Sequence, residues 1–262
     1  MSDSLPTLWQ IDVSHYSEKV RWALAHKGVE HRRRSPLPGA HMAIALWLTR
    51  GAQTTFPVLS LDGRHVGDST AIIAALEERY PEPALYPVEA AERRRALALE
   101  AYFDEELGPP IRLLAWHELG NDPQRFAELM QATAPGPLAK RPGLAAGYAR
   151  AFSGIRFGAR DPVQAERARL KILNALDYLE EELGEGGYLV GDSFTVADLT
   201  AASLFYPLVL PPEGPLPIDQ PPARGMERFR QPLKERRGYR WVVEMFSRHR
   251  RPTQPAPVSV SG

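Results

Sequence analysis

The spacing of apolar positions changes several times over the first eighty residues. LWQIDV at 8–13 reads as a short buried strand. EKVRWALAHKG then repeats Val20, Ala23, Leu24 and Lys27 at helical spacing and stops at Gly28. VEHRRR predicts a second strand, and PLPGAHMAIALWLTRG a proline-led segment with a short helix ending near Gly51. FPVLSL and RHVGD flank Asp62-Gly63, a strong hairpin signal, and a helix from Ser69 runs through TAIIAALEERY to Pro81. The order β-α-β-α-β-β-α predicts a small mixed sheet with helices on its faces.

Past residue 80 the period becomes helical. PEPALYPVEAAE at 81–92 is proline-rich and aperiodic and reads as a linker. Ala96 to Leu107 predicts one helix, with a break or kink at Pro109-Pro110, and Ile111 to about Met130 another; PGPLAKRPG reads as a loop. Leu170, Leu173, Leu176, Leu179 and Leu183 predict a leucine stripe on a long helix ending at Gly184. Thr195 and Asp198 in GDSFTVADL have the spacing of an N-cap box. PPEGPLPIDQPPARG is an irregular loop, and GYRWVVEMFSRHR closes with an amphipathic basic helix. The expected division is 1–82 as one domain, 83–92 as linker, 93–250 as an all-helical domain and 251–262 as a disordered tail.

Composition narrows the chemistry. The 32 basic and 32 acidic side chains of this 262-residue chain cancel, so no global field favours nucleic acid or an anionic membrane. The basic runs HRRR at 31–34, ERRR at 92–95 and RHRR at 248–251 read as solvated faces. The longest apolar stretch, LTAASLFYPLVL, contains Pro207 and is too short for a membrane span. MSDSLPTLWQ has neither a basic nor an apolar leader region, so the expectation is a soluble, cytoplasmic protein. Without a single cysteine, disulfides, thiolate metal sites and cysteine nucleophiles are excluded; seven scattered histidines with no His-x-x-x-His pair argue against zinc.

The absence of cysteine matters most at SHYS, Ser14 to Ser17, where the first strand turns into the first helix. Some redox proteins keep a Cys-x-x-Cys pair at such a turn; here both ends carry hydroxyls. SHYSEKVRWALAHKGV, FPVLSLDGRHVGDSTAI and GDSFTVADL, in this order and spacing, resemble three motifs of the cytosolic glutathione transferases. The resemblance covers most of the chain. It implies an α/β thioredoxin-like N-terminal domain, an all-α C-terminal domain, glutathione as co-substrate without a metal, and a homodimer. The sulfur would then arrive with the substrate.

The resemblance also implies roles. Ser14 stands at the position of the catalytic hydroxyl of serine-type members, where it would donate to the glutathione sulfur beside a helix N-terminus that favours an anion; the plain alternative is an N-cap. Tyr16 is a second candidate hydroxyl, Ser17 reads as a first-turn residue satisfying local backbone groups, and His15 as an exposed loop side chain. Phe56-Pro57 matches the family's cis-proline, with the Phe56 backbone offered to the cysteinyl part of glutathione; the alternative is a trans proline at an edge strand. Asp68 would hold the γ-glutamyl ammonium and Ser69 its carboxylate, or either merely caps the third helix.

The chain departs from the family in having LTRGAQTT where Asn-Pro-x-Gly is usual, with only His41 and Arg50 as candidate partners for the glycyl carboxylate. The loop over 211–223 has no family counterpart. Tyr102, Phe103, Ile111, Trp116 and Phe205 line an acceptor pocket or are ordinary core. The function expected is activation of glutathione, or a similar thiol, for attack on a small electrophile; the alternative is a non-catalytic ligand carrier or interaction module on the same fold.

Overall fold

The computed structural model describes residues 5–36, 40–133, 141–215 and 221–250. They fall into two compact units: residues up to Leu85 together with His249 and Arg250, and Tyr86–Arg248.

The first unit has the expected order: β1 Thr7–Trp9, α1 His15–His26, β2 Arg32–Arg34, α2 Ala40–Leu48, β3 Val58–Leu61, β4 Arg64–Gly67 and α3 Ser69–Arg79. The strands lie in the order β2-β1-β3-β4, with β1 parallel to β2 and antiparallel to β3, and β3 antiparallel to β4. Asp62 and Gly63 both take positive φ, 48° and 78°, which is the twist a two-residue hairpin turn requires. Leu8, Val20, Leu24, Leu59 and Ile72 are fully buried, each worth about 1.5–3 kcal/mol of transfer free energy. α1 also buries Lys19, whose ammonium donates to Thr70 of α3 at 2.9 Å. Lys27 reaches the carbonyls of Tyr80 and Pro83 at 2.7 and 3.1 Å and pairs with Glu77 at 2.5 Å.

The second unit is helical, and several elements differ from the expectation. α4 Ala90–Tyr102 is capped by Glu89 and runs through a π-turn, Phe103–Leu107, into α5 Gly108–Gly120. Pro109-Pro110 therefore does not break the helix. The Gly108 amide bonds back to Phe103, five residues earlier, and the widened turn accommodates two residues without N–H groups. The single helix expected from Ile111 to Met130 is instead α5 followed by α6 Pro123–Thr133, divided at Gly120-Asn121-Asp122. Asp122 receives the Phe126 amide at its carbonyl, and proline opens the new helix.

α7 Pro142–Phe157 had no counterpart in the periodicity; it ends at Gly158, whose φ of 67° makes a left-handed cap. The loop expected at PGPLAKRPG lies mostly outside the described residues, as do the tail after Arg250 and residues 216–220 of the proline-rich loop. α8 Pro162–Glu182 buries Ala165, Ala168, Ile172, Ala175, Leu176 and Leu179, while Leu170 is exposed. The packed face is thus rotated from the leucine stripe, because small alanines allow closer approach than the leucine pattern suggests. α9 Val196–Val209 carries the expected capping box and is buried almost throughout; α10 Arg224–Arg230 and α11 Arg237–His249 complete the chain.

Candidate functional site

The register of the sheet gathers the candidate residues of the first unit. Trp9 pairs with Val58 and Val58 with Gly67, so these three residues form one row across β1, β3 and β4. At this edge the chain leaves β1 toward Ser14, enters β3 from Phe56-Pro57, and leaves β4 into Asp68-Ser69. The Phe56-Pro57 peptide is cis. Phe56 is buried against Ala45, Leu48 and Val58, with the Trp9 and His41 rings 6.5 and 5.9 Å away.

Ser14 caps α1. Its backbone is extended, at φ −79° and ψ 126°, and its Oγ accepts from the Ser17 amide at 3.3 Å. A hydroxyl that accepts at one lone pair keeps its proton for another acceptor, and Ser14 is half-buried. Ser17 is fully buried, and its Oγ accepts from the Ile11 amide at 3.3 Å, tying the end of β1 to the start of α1. Tyr16 is half-buried. His15 is buried rather than exposed, its ring 4.4 Å from that of Tyr16, because it opens the helix instead of belonging to the loop.

Beneath this turn lies an ionic cluster that the sequence did not reveal. Glu18 is fully buried. One of its carboxylate oxygens accepts from Arg21 Nε at 2.6 Å and the other from Arg250 Nε at 2.5 Å. Arg21 also donates to the Gln10 side chain and to the Asp12 carbonyl, both at 3.0 Å. Gln10 and Ser35 both donate to the Asp12 carboxylate, at 2.7 and 2.8 Å. Burial alone would raise the Glu18 pKa, but Arg21 and Arg250 outweigh it and hold the carboxyl below its ordinary value. Burial, with the neighbouring guanidiniums, pushes His31 and Arg33 down. Arg250 thus contradicts the reading of RHRR as a solvated face. A cue was available: EKVR places three charges within four residues of a helix whose apolar residues leave no wide polar side.

Asp68 caps α3 with one carboxylate oxygen, which accepts from the Thr70 and Ala71 amides at 3.0 and 3.1 Å. Its φ is +71° with ψ 133°, a conformation that costs a non-glycine residue about 1–3 kcal/mol. Ser69, the first residue of α3, is buried. His41 is buried at the start of α2, and Arg50 is exposed with φ 52°. Of the acceptor-pocket candidates, Phe103, Ile111 and Phe205 are fully buried in the second unit; Tyr102 and Trp116 are half-buried, packed on Tyr178 and Phe126 respectively. Among the described residues no group of three or more His, Asp or Glu is arranged to hold a metal, and no helix is long and apolar enough to cross a membrane.

A thioredoxin-like sheet with a cis-proline entering β3, next to a hydroxyl-capped first helix and followed by an all-helical unit, defines the class of thiol-binding transferases. The family models agree: residues 8–84 match the glutathione S-transferase N-terminal domain and residues 162–229 the C-terminal domain. The chain belongs to the cytosolic glutathione S-transferase superfamily, whose thiol substrate is glutathione. It is 27% identical over 219 residues to a maleylacetoacetate isomerase of Dictyostelium discoideum, and 26% over 206 residues to a probable maleylacetoacetate isomerase of Caenorhabditis elegans; both alignments cover 79% of this chain and 80% of the relative. The crystal structure of maleylacetoacetate isomerase from Anaeromyxobacter dehalogenans, with glutathione bound in its active site, superposes with a TM-score of 0.52 at 24% identity, over 96% of this chain and 98% of that one. These relatives support a glutathione-dependent enzyme.

Proposed function

We propose that this protein binds glutathione at the Trp9–Val58–Gly67 edge of its sheet and uses the Ser14 hydroxyl to stabilise the thiolate for attack on a small electrophile. The observation that supports the reading is that row, because the segments leading to Ser14, from Phe56-Pro57 and to Asp68-Ser69 all leave or enter the sheet beside it. An interaction module has no need of all three. In this reading the Ser14 proton, left over from its cap, turns to the sulfur, and the α1 N-terminus favours the negative charge. The Phe56 backbone pairs with the cysteinyl residue. Asp68 takes the γ-glutamyl ammonium, while Ser69 and the α3 N-terminus take its carboxylate.

The same thiolate supports conjugation, dehalogenation, peroxide reduction and isomerisation of an activated alkene. The names of the two relatives favour the last. The thiolate adds to the conjugated carbon, the carbon–carbon bond rotates in the adduct, and expulsion of the thiolate restores the alkene. The working form is a cytoplasmic homodimer.

A thermal-shift panel of glutathione, its S-hexyl conjugate and other cellular thiols tests the binding. A ligand that binds only the folded state raises the melting temperature, by ~2.7 kcal/mol of added stability at a hundredfold excess over Kd. The expected result is a shift with glutathione and its conjugate. No shift with any thiol makes the protein an interaction module, and a shift only with another thiol replaces glutathione.

A further inference from the structure

Glu18 has each of its oxygens held by a different guanidinium, from residues 3 and 232 positions away in the chain. Arg21 is engaged on three sides: its Nε serves Glu18, while its two terminal nitrogens hold the Gln10 side chain and the Asp12 carbonyl. Both held groups lie in the turn between β1 and Ser14. This division of labour requires Arg250. Without it, one oxygen of a fully buried carboxylate loses the guanidinium that holds it, and the least costly repair is for Arg21 to swing into a two-pronged pairing with Glu18. That pairing draws the terminal nitrogens away from Asp12 and Gln10.

We infer that Arg250 is a positioning residue for the thiol-binding turn: by occupying one side of Glu18 it leaves Arg21 free to hold the Gln10–Ser14 backbone, and with it the Ser14 hydroxyl. A second anchor brings the chain there, since the His249 carbonyl accepts from the indole of fully buried Trp22 at 3.2 Å. That bond carries no charge and does not touch the turn, so the two anchors separate docking of the chain end from positioning of the site. The functional half of this inference rests on the reading of Ser14 given above; the structural half does not.

The test compares the parent with Arg250→Met, with Arg250→Met combined with Glu18→Gln, and with Trp22→Phe. Two readouts are taken: amide hydrogen exchange of Ile11, Ser14 and Ser17 in the free protein, and the ultraviolet titration of bound glutathione. Arg250→Met is expected to speed exchange at those amides about tenfold, and to raise the apparent thiol pKa by about half a unit to one unit, a three- to tenfold loss of thiolate at neutral pH. The double variant removes the stranded carboxylate together with its counter-charge, so Arg21 stays on Asp12 and both readouts return close to the parent. Trp22→Phe leaves both near the parent.

If exchange in Arg250→Met matches the parent, or the double variant is as impaired as the single one, the inference is overturned. Equal impairment in Trp22→Phe overturns it too, because Arg250 would then only fasten the chain end. Should Arg250→Met fail to fold, Arg250→Lys takes its place: one ammonium donor keeps Glu18 satisfied, so near-parent exchange supports the inference and parent-unlike exchange overturns it. A parent that binds no glutathione removes the proposed function, while the exchange data still decide the role of Arg250.

Discussion

Ser14 and Ser17 show how differently two hydroxyls three residues apart are employed. Ser14→Ala removes a donor from an anionic sulfur. The expected cost is ~1.5–3 kcal/mol, which raises the apparent pKa of bound glutathione by about one to two units; affinity changes much less, and a titration of thiolate absorbance reads the difference. Ser17→Ala instead removes the acceptor of the half-buried Ile11 amide, so the expectation is about 1 kcal/mol of lost stability in denaturant unfolding. A thiolate that moves with Ser17→Ala and not with Ser14→Ala would put the catalytic hydroxyl at the other end of the turn.

Asp68 offers a sharper separation at the same scale. Asp68→Gly relieves a positive φ and forfeits a cap for which glycine is a fair substitute. Thermal melting should therefore match or exceed the parent, while glutathione binding weakens by ~1.5–3 kcal/mol through the lost charge-assisted bond. Unchanged affinity in calorimetry would leave Asp68 a cap alone. Caps were legible in the sequence because a side chain and the amides it serves lie within four residues. The environment of Glu18 was not, because its second partner is 232 positions distant.

Among the elements, α9 makes a prediction about pH. Asp198 is fully buried at its first turn and accepts from the Leu189 and Thr195 amides and the Thr195 hydroxyl, at 2.8–2.9 Å. Burial pushes its pKa up to about 6, against those hydrogen bonds. The native state therefore binds this proton more tightly than the unfolded chain does. The contribution is fully present below the unfolded value of 3.8 and is lost as pH rises through about 6. Glu18 works the other way: its stabilisation holds above its ordinary value of 4.5 and fades only as pH falls through the lowered one. Between pH 5 and 7, urea unfolding should show Asp198 costing stability as pH rises, by on the order of 1–2 kcal/mol, and Asp198→Asn should remove that slope. An identical slope in the variant would sink the assignment.

The elements the sequence missed have physical reasons. The sequence pattern merges α6 with α5 because apolar spacing continues across Gly120-Asn121-Asp122-Pro123 even though the backbone stops and restarts there. α7 escaped because its apolar residues include exposed Leu144, Tyr148 and Ile155, which blur the period. The π-turn escaped because a pair of prolines ordinarily signals an end.

At the scale of the whole molecule, the two-unit architecture and the edge of the sheet were readable from three motifs in order, since sheet register follows from short hairpins and crossovers. Family members are usually homodimers, and a two-fold dimer is expected here; sedimentation showing a monomer at micromolar concentration would refute it.

The docking of Arg250 on Glu18 also bears on how the chain is made. A ribosome releases the β1–α1 segment early and Arg250 only 232 residues later, on the order of ten to fifty seconds at ordinary elongation speeds. Throughout that interval the nascent N-terminal unit must hold Glu18 without the guanidinium that grips one of its two oxygens, so its first helix waits on a residue synthesised long after it. For this unit, vectorial synthesis delivers the second counter-charge of Glu18 long after the helix that carries Glu18.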